Sequence, residues 1–309
     1  MTSASHNKRI LIQRLFVFAS WIFFPLASDA ESPAKHESDA WQHLLDQDLS
    51  NWETFIGVPH TSIDIEWDGK ADDGISGKPL GLDNDPLDIF STRQEDGETI
   101  LVINGLIYGG LTSLKEYENY HLSLEFRWGE KKLPPRENRK RDSGLLVHCV
   151  GSHGQFWNVW MRSLECQIQE GDVGDFIPLA GSKADFPISP ESEKQIYSPE
   201  STAIAAGKYV AHGPSKEKPR GQWNHVEVYT LDQTTVFMVN GTPNMVLLNC
   251  RQGNPAGKGV VPLTRGRIQI QSEAAEIEYR RIKLRAIESF PDHLSPYVNK
   301  EFVAIEKGQ

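Results

Sequence analysis

The sequence predicts an all-β protein, a two-sheet sandwich of the jelly-roll type with long loops and few helices. Three observations support this prediction. Many short segments alternate apolar and polar residues with the period of two that is typical of strands. Gly-rich and Asn-Gly turns separate these segments. Helical periodicity is confined to one short stretch near the N-terminus.

The first thirty residues are predicted to be a signal peptide. Lys8 and Arg9 begin a charged region, and residues 15–26 form an apolar run that is too short to span a bilayer comfortably. Small residues at 28–30 provide a cleavage site. The sequence therefore predicts a periplasmic or secreted protein without membrane contact after cleavage. An uncleaved signal anchor is the alternative.

The remaining chain is predicted to contain one domain. Residues 31–49 form a polar segment with a possible short helix, because apolar residues of 41–49 fall on one helical stripe. Residues 50–287 form the sandwich, and residues 288–309 form a C-terminal tail with little periodicity. Residues 171–221 are rich in Gly, Pro, Ser and Lys, which predicts a long loop that serves as a lid or is mobile.

The strand-like segments occur in a regular order along the chain. They cover residues 99–103, 110–112, 120–128, 141–150, 163–171, 223–231, 235–239, 245–248, 266–273 and 275–284. Asn104-Gly105 and Asn240-Gly241 are predicted tight turns. In the last segment the alternation changes phase at Arg280-Arg281, which predicts a β-bulge.

Charge limits the classes of partner. The formal net charge is −10, and no basic stripe interleaved with aromatics occurs, so nucleic acid is not an expected partner. The one basic cluster, within residues 131–141, lies beside Pro134-Pro135 and is interpreted as a solvated loop.

Two predicted strands carry long polar side chains on one face. In residues 163–171, Leu164, Cys166 and Ile168 alternate with Glu165, Gln167 and Gln169. In residues 266–273, two isoleucines alternate with Arg267, Gln269, Gln271 and Glu273. If these strands are adjacent, they form a hydrogen-bonding surface suited to a polyol. An ordinary solvated sheet face is the alternative.

Three cysteines, Cys149, Cys166 and Cys250, fit no zinc pattern. Alternation places Cys149 with Val147 and Cys166 with Ile168, so both are expected in the core. A disulfide between them requires neighbouring strands in register, and buried free thiols are the alternative.

Five motifs occur in an order that is typical of one family. They are Arg141-Asp142-Ser143-Gly144-Leu145, Glu165-Cys166-Gln167-Ile168, Gln222-Trp223-Asn224, Val239-Asn240-Gly241 and the stretch from Ile270 to Ile282. Over residues 50–287 the chain resembles the 3-keto-disaccharide hydrolase domain family, which is abundant in secreted bacterial proteins. The resemblance implies a concanavalin A-like jelly-roll sandwich that binds sugars on one sheet face. For some members it implies cleavage of glycosides oxidised at C3. The sequence departs from the family at Glu170, where Asp is common, and at Ser272-Glu273, where His often follows the glutamine.

The implied chemistry needs few groups. A ketone at C3 acidifies the C2 proton, so a base can remove it and the aglycone then leaves C1 by elimination, after which water adds. This route requires a base, a donor to the enolate oxygen and an acid for the leaving group. It does not require the two facing carboxylates of ordinary glycosidases. The E-x-D-x-E signature of glucanases is missing, since amides follow Glu165.

Two residues are candidate catalytic groups. Glu165 lies on a central predicted strand, where burial would raise its pKa and suit it to act as the base. A structural salt bridge with Arg141 is the alternative. His148 is expected on the polar face, opposite Val147, as base, acid or metal ligand. A surface histidine without a role is its alternative.

Other residues are predicted to bind substrate. They surround Glu165 on the same surface or at its rim: Arg141, Asp142, Ser143, Gln167, Gln271 and Glu273. Trp157 or Trp160 is a candidate for stacking on a sugar ring, with burial in the core as the alternative. No cofactor and no metal ligands are predicted, although a divalent cation such as calcium at Asp142 and Glu170 is an alternative.

The sequence is compatible with two functions. The first is an enzyme that hydrolyses 3-keto-glycosides by elimination and hydration, and the second is a non-catalytic carbohydrate-binding module. Residues 171–221 favour the enzyme, because a flat binding module rarely needs a lid. A domain that binds partner proteins is a third hypothesis, which would require an exposed apolar patch.

Overall fold

The computed structural model describes residues 40–191 and 195–305, so the predicted signal peptide lies outside the described residues. Two β-sheets share one apolar core, which confirms the predicted all-β sandwich. The one α-helix of the described residues is the single turn Ser295–Val298. Within the same ranges, no helix has the length and apolar character needed to cross a membrane.

The first sheet contains twelve strands, and the second contains eight. The strands of the first sheet are β1 (Gln42–His43), β4 (Phe90–Glu95), β5 (Glu98–Ile103), β8 (Tyr120–Lys132), β12 (Ser182–Pro187), β13 (Ala203–Ala206), β14 (Asn224–Leu231), β15 (Thr234–Val239), β16 (Thr242–Gly253), β17 (Val260–Pro262), β19 (Ala275–Ala286) and β20 (Val303–Ala304). The strands of the second sheet are β2 (Trp52–Ile56), β3 (Gly81–Leu82), β6 (Gly109–Ser113), β7 (Tyr117–Glu118), β9 (Asp142–Val150), β10 (Arg162–Gln169), β11 (Phe176–Leu179) and β18 (Arg265–Ser272).

The order of strands in the second sheet is β11-β10-β9-β18-β6-β2-β3, with β7 paired to β18. The three strands that carry the predicted polar residues are therefore neighbours. Leu164, Cys166 and Ile168 of β10 are fully buried in the core shared with the first sheet. Because side chains alternate along a strand, the intervening residues lie on the outer face, which is the face turned away from the first sheet.

The turn predictions differ in outcome. Asn240 and Gly241 have φ values of 49° and 77° and join β15 to β16, as expected for a two-residue hairpin. Asn104-Gly105 does not form a hairpin, because β5 belongs to the first sheet and β6 to the second. The predicted bulge in β19 is confirmed by a register shift after Arg280 and by a φ of 54° at Arg281.

The short helix predicted over 41–49 is wrong. Gln42 and His43 instead pair with β19 as a strand, and the Leu44 amide donates to the Ile282 carbonyl at 2.9 Å. Leu44 is fully buried in the core. A stretch of nine residues is too short to hold a helix by itself, so tertiary pairing decides its conformation.

Residues 171–221 contain β11, β12 and β13 as well as loops, and Phe176, Phe186 and Val210 contribute to the core. The prediction of a plain loop missed them because each strand is short and flanked by Gly and Pro. The C-terminal tail also has structure: a 3-10 turn at Asp292–Leu294 buries Leu294, and β20 pairs with β13.

A bulge interrupts β9 at His148. Leu164 pairs with Val147 and Arg162 with Val150, so two residues of β9 oppose one residue of β10. His148 has a φ of 54°, is fully buried, and lies 5.8 Å from the Tyr120 ring. The predicted position of His148 on the polar face is therefore wrong, because the bulge shifts the alternation.

The same bulge moves Cys149 to the outer face. There it packs with Leu146 and Trp160, so its predicted place in the shared core is also wrong, whereas Cys166 lies in that core as expected. Cys149, Cys166 and Cys250 are all buried free thiols.

We predict that His148 makes the protein sensitive to acid. Neither ring nitrogen has a hydrogen-bond partner among residues 40–191 and 195–305, and burial lowers the pKa of His148 from 6.5 to about 4. A depressed pKa adds stability that is complete above pH 6.5 and is lost as the pH falls through 4, on the order of 3 kcal/mol. His148→Asn does not titrate and tolerates the left-handed backbone.

Urea unfolding at pH 7.5 and pH 4.5 tests this expectation. The variant should lose less stability between the two pH values than the wild type, even if the smaller side chain lowers its stability at both. His43→Asn, at an exposed histidine, should keep the wild-type difference. An unchanged pH dependence in His148→Asn would contradict the assignment.

Candidate functional site

The outer face of β10, β9 and β18 brings together five of the predicted site residues. Glu165 and Gln167 lie on β10, Asp142 begins β9, Gln271 lies on β18, and Glu273 follows β18. All five are at most 6 % exposed. We call this group the polar floor.

Gly144 makes the floor compact. It lies opposite Gln167 on β9, between the strands that carry Glu165 and Gln271. A Cβ atom at this position would collide with the Oε1 atoms of both Glu165 and Gln271. The two side chains therefore meet above the bare backbone, and Gln271 hydrogen-bonds to Glu165.

One guanidinium joins the acidic residues at the end of the floor. Arg136 pairs with Asp142, and its Nη1 lies 3.0 Å from Oε1 of Glu273. Asp142 and Glu273 also share a hydrogen bond between their side chains, and Gln169 donates its amide to Asp142. The Arg136 side chain is only 13 % exposed, so this ion pairing is largely desolvated.

The carboxyl groups resist ionisation. Burial, followed by the negative charge of Asp142, raises the pKa values of Glu165 and Glu273 well above the usual range. Burial also raises the pKa of Asp142, against the lowering effect of Arg136. Three buried carboxyl groups with one guanidinium cannot all be ionised, so the floor retains at least one proton near neutral pH. It can accept and donate protons in one site.

Several buried polar atoms of the floor have no partner within the described residues. They are the Oε1 atoms of Gln167 and Gln271 and Oδ1 of Asp142. Buried polar groups normally form hydrogen bonds, so free acceptors in a group of this kind suit the hydroxyls of a ligand.

An aromatic group borders the floor. Burial and then the charge of Glu273 raise the pKa of Tyr108, and its ring lies 5.8 Å from that of Trp160. The Trp157 ring stacks on Phe156 with centroids 5.3 Å apart and lies 6.3 Å from the Tyr108 ring. Trp157 is 39 % exposed, whereas Trp160 is buried. Of the two predicted tryptophans, only Trp157 presents a surface to solvent.

The backbone holds Trp157 in an uncommon conformation. Trp157 and Asn158 have φ values of 49° and 60°, in the left-handed region that costs a residue with a Cβ atom of order 1 kcal/mol or more. The Asn158 amide donates to the carbonyls of Ile75 and Gly77 at 3.3 and 3.0 Å. These bonds fix the turn and keep the Trp157 ring at the surface.

Three predicted site residues do not reach the floor. His148 lies inside the sandwich, as described above. The Arg141 guanidinium pairs with Glu170 at 3.0 Å and donates to the carbonyls of Gly129 and Glu130. These partners contradict the alternative of a salt bridge with Glu165. Ser143 points inward, and its hydroxyl bonds to Tyr279 at 2.7 Å and to the Gln271 carbonyl. Residues 141 and 143 have the opposite parity to Asp142, which explains the difference.

Sequence reasoning missed Arg136 and Tyr108. Arg136 belongs to the basic cluster that we interpreted as a solvated loop, so that interpretation is wrong for this residue. The available signal was the group of acidic residues predicted on one face, which needs a cation once it is buried. Nothing in the pattern around Tyr108 indicates its place at the site.

The alternative calcium site finds no geometric support. Asp142 is engaged by Arg136, and Glu170 is engaged by Arg141. Among residues 40–191 and 195–305, no group of three or more His, Cys, Asp or Glu side chains is arranged to hold a metal ion.

A cavity of about 180 Å³ lies elsewhere, on the first sheet. Its lining includes Glu98 and Arg281, which satisfy each other in a salt bridge at 2.6 Å. It contains no buried polar side-chain atom without a partner, and it is a weaker candidate than the floor.

We predict that Glu165 destabilises the fold at neutral and alkaline pH. A carboxyl group whose pKa is raised on folding adds stability below its unfolded pKa, and this stability is lost as the pH rises through the folded pKa. Glu165→Gln replaces the ionisable carboxyl group with a neutral amide of nearly the same shape. Its melting temperature should exceed that of the wild type at pH 8 by about 2–4 °C, the change expected from ~1 kcal/mol, with a smaller gain at pH 4.

Thermal unfolding at both pH values measures this difference. Glu130→Gln, at an exposed glutamate, serves as the matched control and should show no gain at pH 8. A melting temperature of Glu165→Gln that is equal to or below the wild-type value at pH 8 would sink the prediction.

Several solved structures are similar to this chain at low sequence identity. A candidate glycosyl hydrolase of Parabacteroides distasonis ATCC 8503 is 17 % identical with a TM-score of 0.43, covering 81 % of this chain and 100 % of its own. A galectin-like protein of unknown function from Bacillus subtilis is 8 % identical with a TM-score of 0.42, covering 80 % and 94 %. The carbohydrate-binding module CBM66 of B. subtilis is 6 % identical with a TM-score of 0.39, covering 64 % and 92 %. At these values, nothing about activity follows from the matches.

No functionally curated protein matches the chain significantly. The model of one domain family matches residues 40–285, which is most of the chain. The family match confirms the predicted recognition, and the two β-sheets confirm the predicted all-β sandwich. The chain belongs to the 3-keto-α-glucoside-1,2-lyase-like domain family, a carbohydrate-active family.

Proposed function

We propose that the protein cleaves 3-keto-glycosides by eliminating the aglycone across C1 and C2 and then hydrating the product. The observation that carries this proposal is the polar floor, where buried Glu165 lies beside a proton-retaining pair of carboxyl groups and one guanidinium. The family description supports the reaction class. The predicted signal peptide supports periplasmic or secreted localisation.

Glu165 is the proposed base. Removal of the C2 proton leaves an enolate whose negative charge lies on the C3 oxygen. A carboxylate with a raised pKa is a stronger base than one in water, and the hydrogen bond from Gln271 orients it. The group acts in its ionised form, so turnover should rise with pH through the pKa of Glu165.

The Asp142–Glu273 pair is the proposed partner of the C3 oxygen. A carboxyl group that burial keeps protonated can donate a hydrogen bond to an enolate, and the charge of Arg136 adds to this stabilisation. The amides of Gln167 and Gln271 have the capacity to bind the remaining hydroxyls. Ordinary glycosidase chemistry would need a carboxylate on each side of the glycosidic bond, whereas these carboxyl groups lie on one face.

A non-catalytic carbohydrate-binding module is the second candidate. The exposed Trp157 ring favours it, since flat aromatic rings are common contacts for sugars in binding sites. Incubation of the purified protein with a 3-keto-glucoside separates the two functions. Release of the aglycone supports the enzyme, and binding without release supports the module.

We predict that Glu165→Gln abolishes turnover of a 3-keto disaccharide. Loss of the base should lower kcat by at least about 10²-fold, while binding of the substrate persists because the amide keeps the shape of the floor. Released reducing sugar measures turnover, and calorimetric titration measures binding. Glu130→Gln should keep wild-type turnover. Unchanged turnover in Glu165→Gln would remove this residue from the mechanism.

We also predict that Trp157 contributes to binding and not to the chemical step. Trp157→Ala should raise KM about three- to tenfold, as expected from the loss of 0.5–1.5 kcal/mol of stacking, and leave kcat within about twofold. Trp157→Phe keeps an aromatic face, so its KM should lie between those of the wild type and Trp157→Ala. A fall in kcat without a change in KM would show that Trp157 does not act as a platform.

A further inference from the structure

Asp175 lies beside the polar floor, just before β11. The backbone N–H of Gln167 donates to the backbone carbonyl of Asp175 at 2.9 Å, and the backbone N–H of Gly174 donates to the backbone carbonyl of Gln167 at 2.8 Å. Gly174 has a φ of 92°, as expected for the first residue of a bulge. Because the next residue, Phe176, points into the core, the Asp175 side chain lies on the outer face with Gln167.

The Asp175 carboxylate holds a histidine in a fixed orientation. The backbone N–H of His212 donates to Oδ1 of Asp175 at 2.7 Å, and the ring Nδ1 contacts the same oxygen. The Tyr209 hydroxyl donates to Oδ2. Because a carboxylate accepts hydrogen bonds, this contact assigns a proton to Nδ1 of His212.

The other ring nitrogen of His212, Nε2, is not engaged by Asp175. Nε2 is buried and has no hydrogen-bond partner in the described part of the chain. The His212 side chain is only 6 % exposed, and that of Asp175 is 1 % exposed. A carboxylate that orients imidazole through Nδ1 and leaves Nε2 free is the arrangement used for proton transfer in hydrolytic enzymes.

Segment 209–212 carries this pair to the edge of the floor. Val210 exchanges two backbone hydrogen bonds of 3.0 Å with Phe176, which fixes the segment beside β11. Burial raises the pKa of Tyr209, and among the charges that raise it further are Asp175 and Asp142. The backbone bonds of Asp175 with Gln167 and its contact with His212 thus hold the pair beside Gln167, at the β11 side of the floor.

We propose that His212, positioned by Asp175, is the general acid that protonates the departing aglycone. This inference rests on the proposed function, in which Glu165 is the base and the Asp142–Glu273 pair stabilises the enolate. Those assignments leave the leaving group without a proton donor. His212 is the buried, oriented side chain beside the floor that the other steps do not use.

Glu165 takes the C2 proton, and the electron pair forms the enolate. The enolate then collapses to a C3 ketone and a C1–C2 double bond, and the bond from C1 to the aglycone oxygen breaks. His212 acts as the imidazolium, with a proton on each ring nitrogen, and gives the Nε2 proton to that oxygen. In hydration, water adds its hydroxyl to C1 and its proton to His212, while protonated Glu165 returns a proton to C2. Both residues regain their starting states.

Leaving-group dependence tests the proposal with the full-length protein. The two probes are methyl 3-keto-α-glucoside and 4-nitrophenyl 3-keto-α-glucoside. Methoxide needs a proton to leave, whereas 4-nitrophenolate leaves without one. His212→Gln should lower kcat/KM for the methyl glycoside about 10²- to 10⁴-fold and for the nitrophenyl glycoside by less than about fivefold.

Further variants separate the outcomes. Glu165→Gln should lose activity on both probes. Asp175→Asn should show the leaving-group dependence of His212→Gln to a smaller degree, because the ring stays in place but loses its orientation. His225→Gln changes a histidine beside Glu227 on the first sheet and should behave as the wild type. A cooperative thermal unfolding transition and a wild-type circular dichroism spectrum check that each variant is folded.

An equal loss on both probes in a folded His212→Gln variant, or no loss on either, would overturn the role of His212 and leave the proposed function standing. If His212→Gln does not fold, Asp175→Asn decides by the same criterion. If the wild type cleaves neither probe, the proposed function fails and the assignment of His212 fails with it.

Discussion

The site depends on an imbalance of charge. Glu165, Asp142 and Glu273 are buried on one sheet face, and the Arg136 guanidinium pairs with two of them, Asp142 and Glu273. Full ionisation of all three would leave uncompensated charge in a medium of low dielectric constant, which is more costly than retaining protons. The protein therefore holds acids that water would deprotonate. Two side-chain amides meet the same need, because Gln169 donates to Asp142 and Gln271 hydrogen-bonds to Glu165 where water has little access.

The sandwich makes this imbalance tolerable. The twelve-stranded sheet covers one face of the eight-stranded sheet with a large apolar core, so the outer face does not have to provide the stability of the fold. A second, smaller apolar cluster around Trp160 covers part of that outer face and leaves the polar floor beside it. The costs of a strained turn at Trp157 and of buried carboxyl groups are thus offset by packing elsewhere, as is common at functional sites.

Strand alternation predicted much of the fold and part of the site. It placed Glu165, Gln167, Gln271 and Glu273 on one face, because a period of two is local and visible in sequence. It failed from His148 to the end of β9, since one inserted residue at a bulge reverses the direction of the side chains that remain in that strand. No local pattern in the sequence indicates that insertion.

Other residues could not be predicted from local pattern at all. Arg136 comes from a loop, and His212 comes from a segment without periodicity. Arg136 is positioned by its contact with Asp142, and His212 by its contact with Asp175. Both contacts form only when the chain has folded. The helix predicted at 41–49 failed for a related reason, because β19 offers an edge for pairing that the stretch itself does not reveal.

Gly144 has a consequence for the engineering of this domain. Its bare backbone is the space that Glu165 and Gln271 occupy together, so any side chain there would displace both. Libraries that randomise only residues with functional groups would leave out the position on which two of those groups jointly depend. A methyl group at residue 144 would change the positions of both Glu165 and Gln271. The effects of substitutions at residue 144 and at either of these two residues should therefore be non-additive.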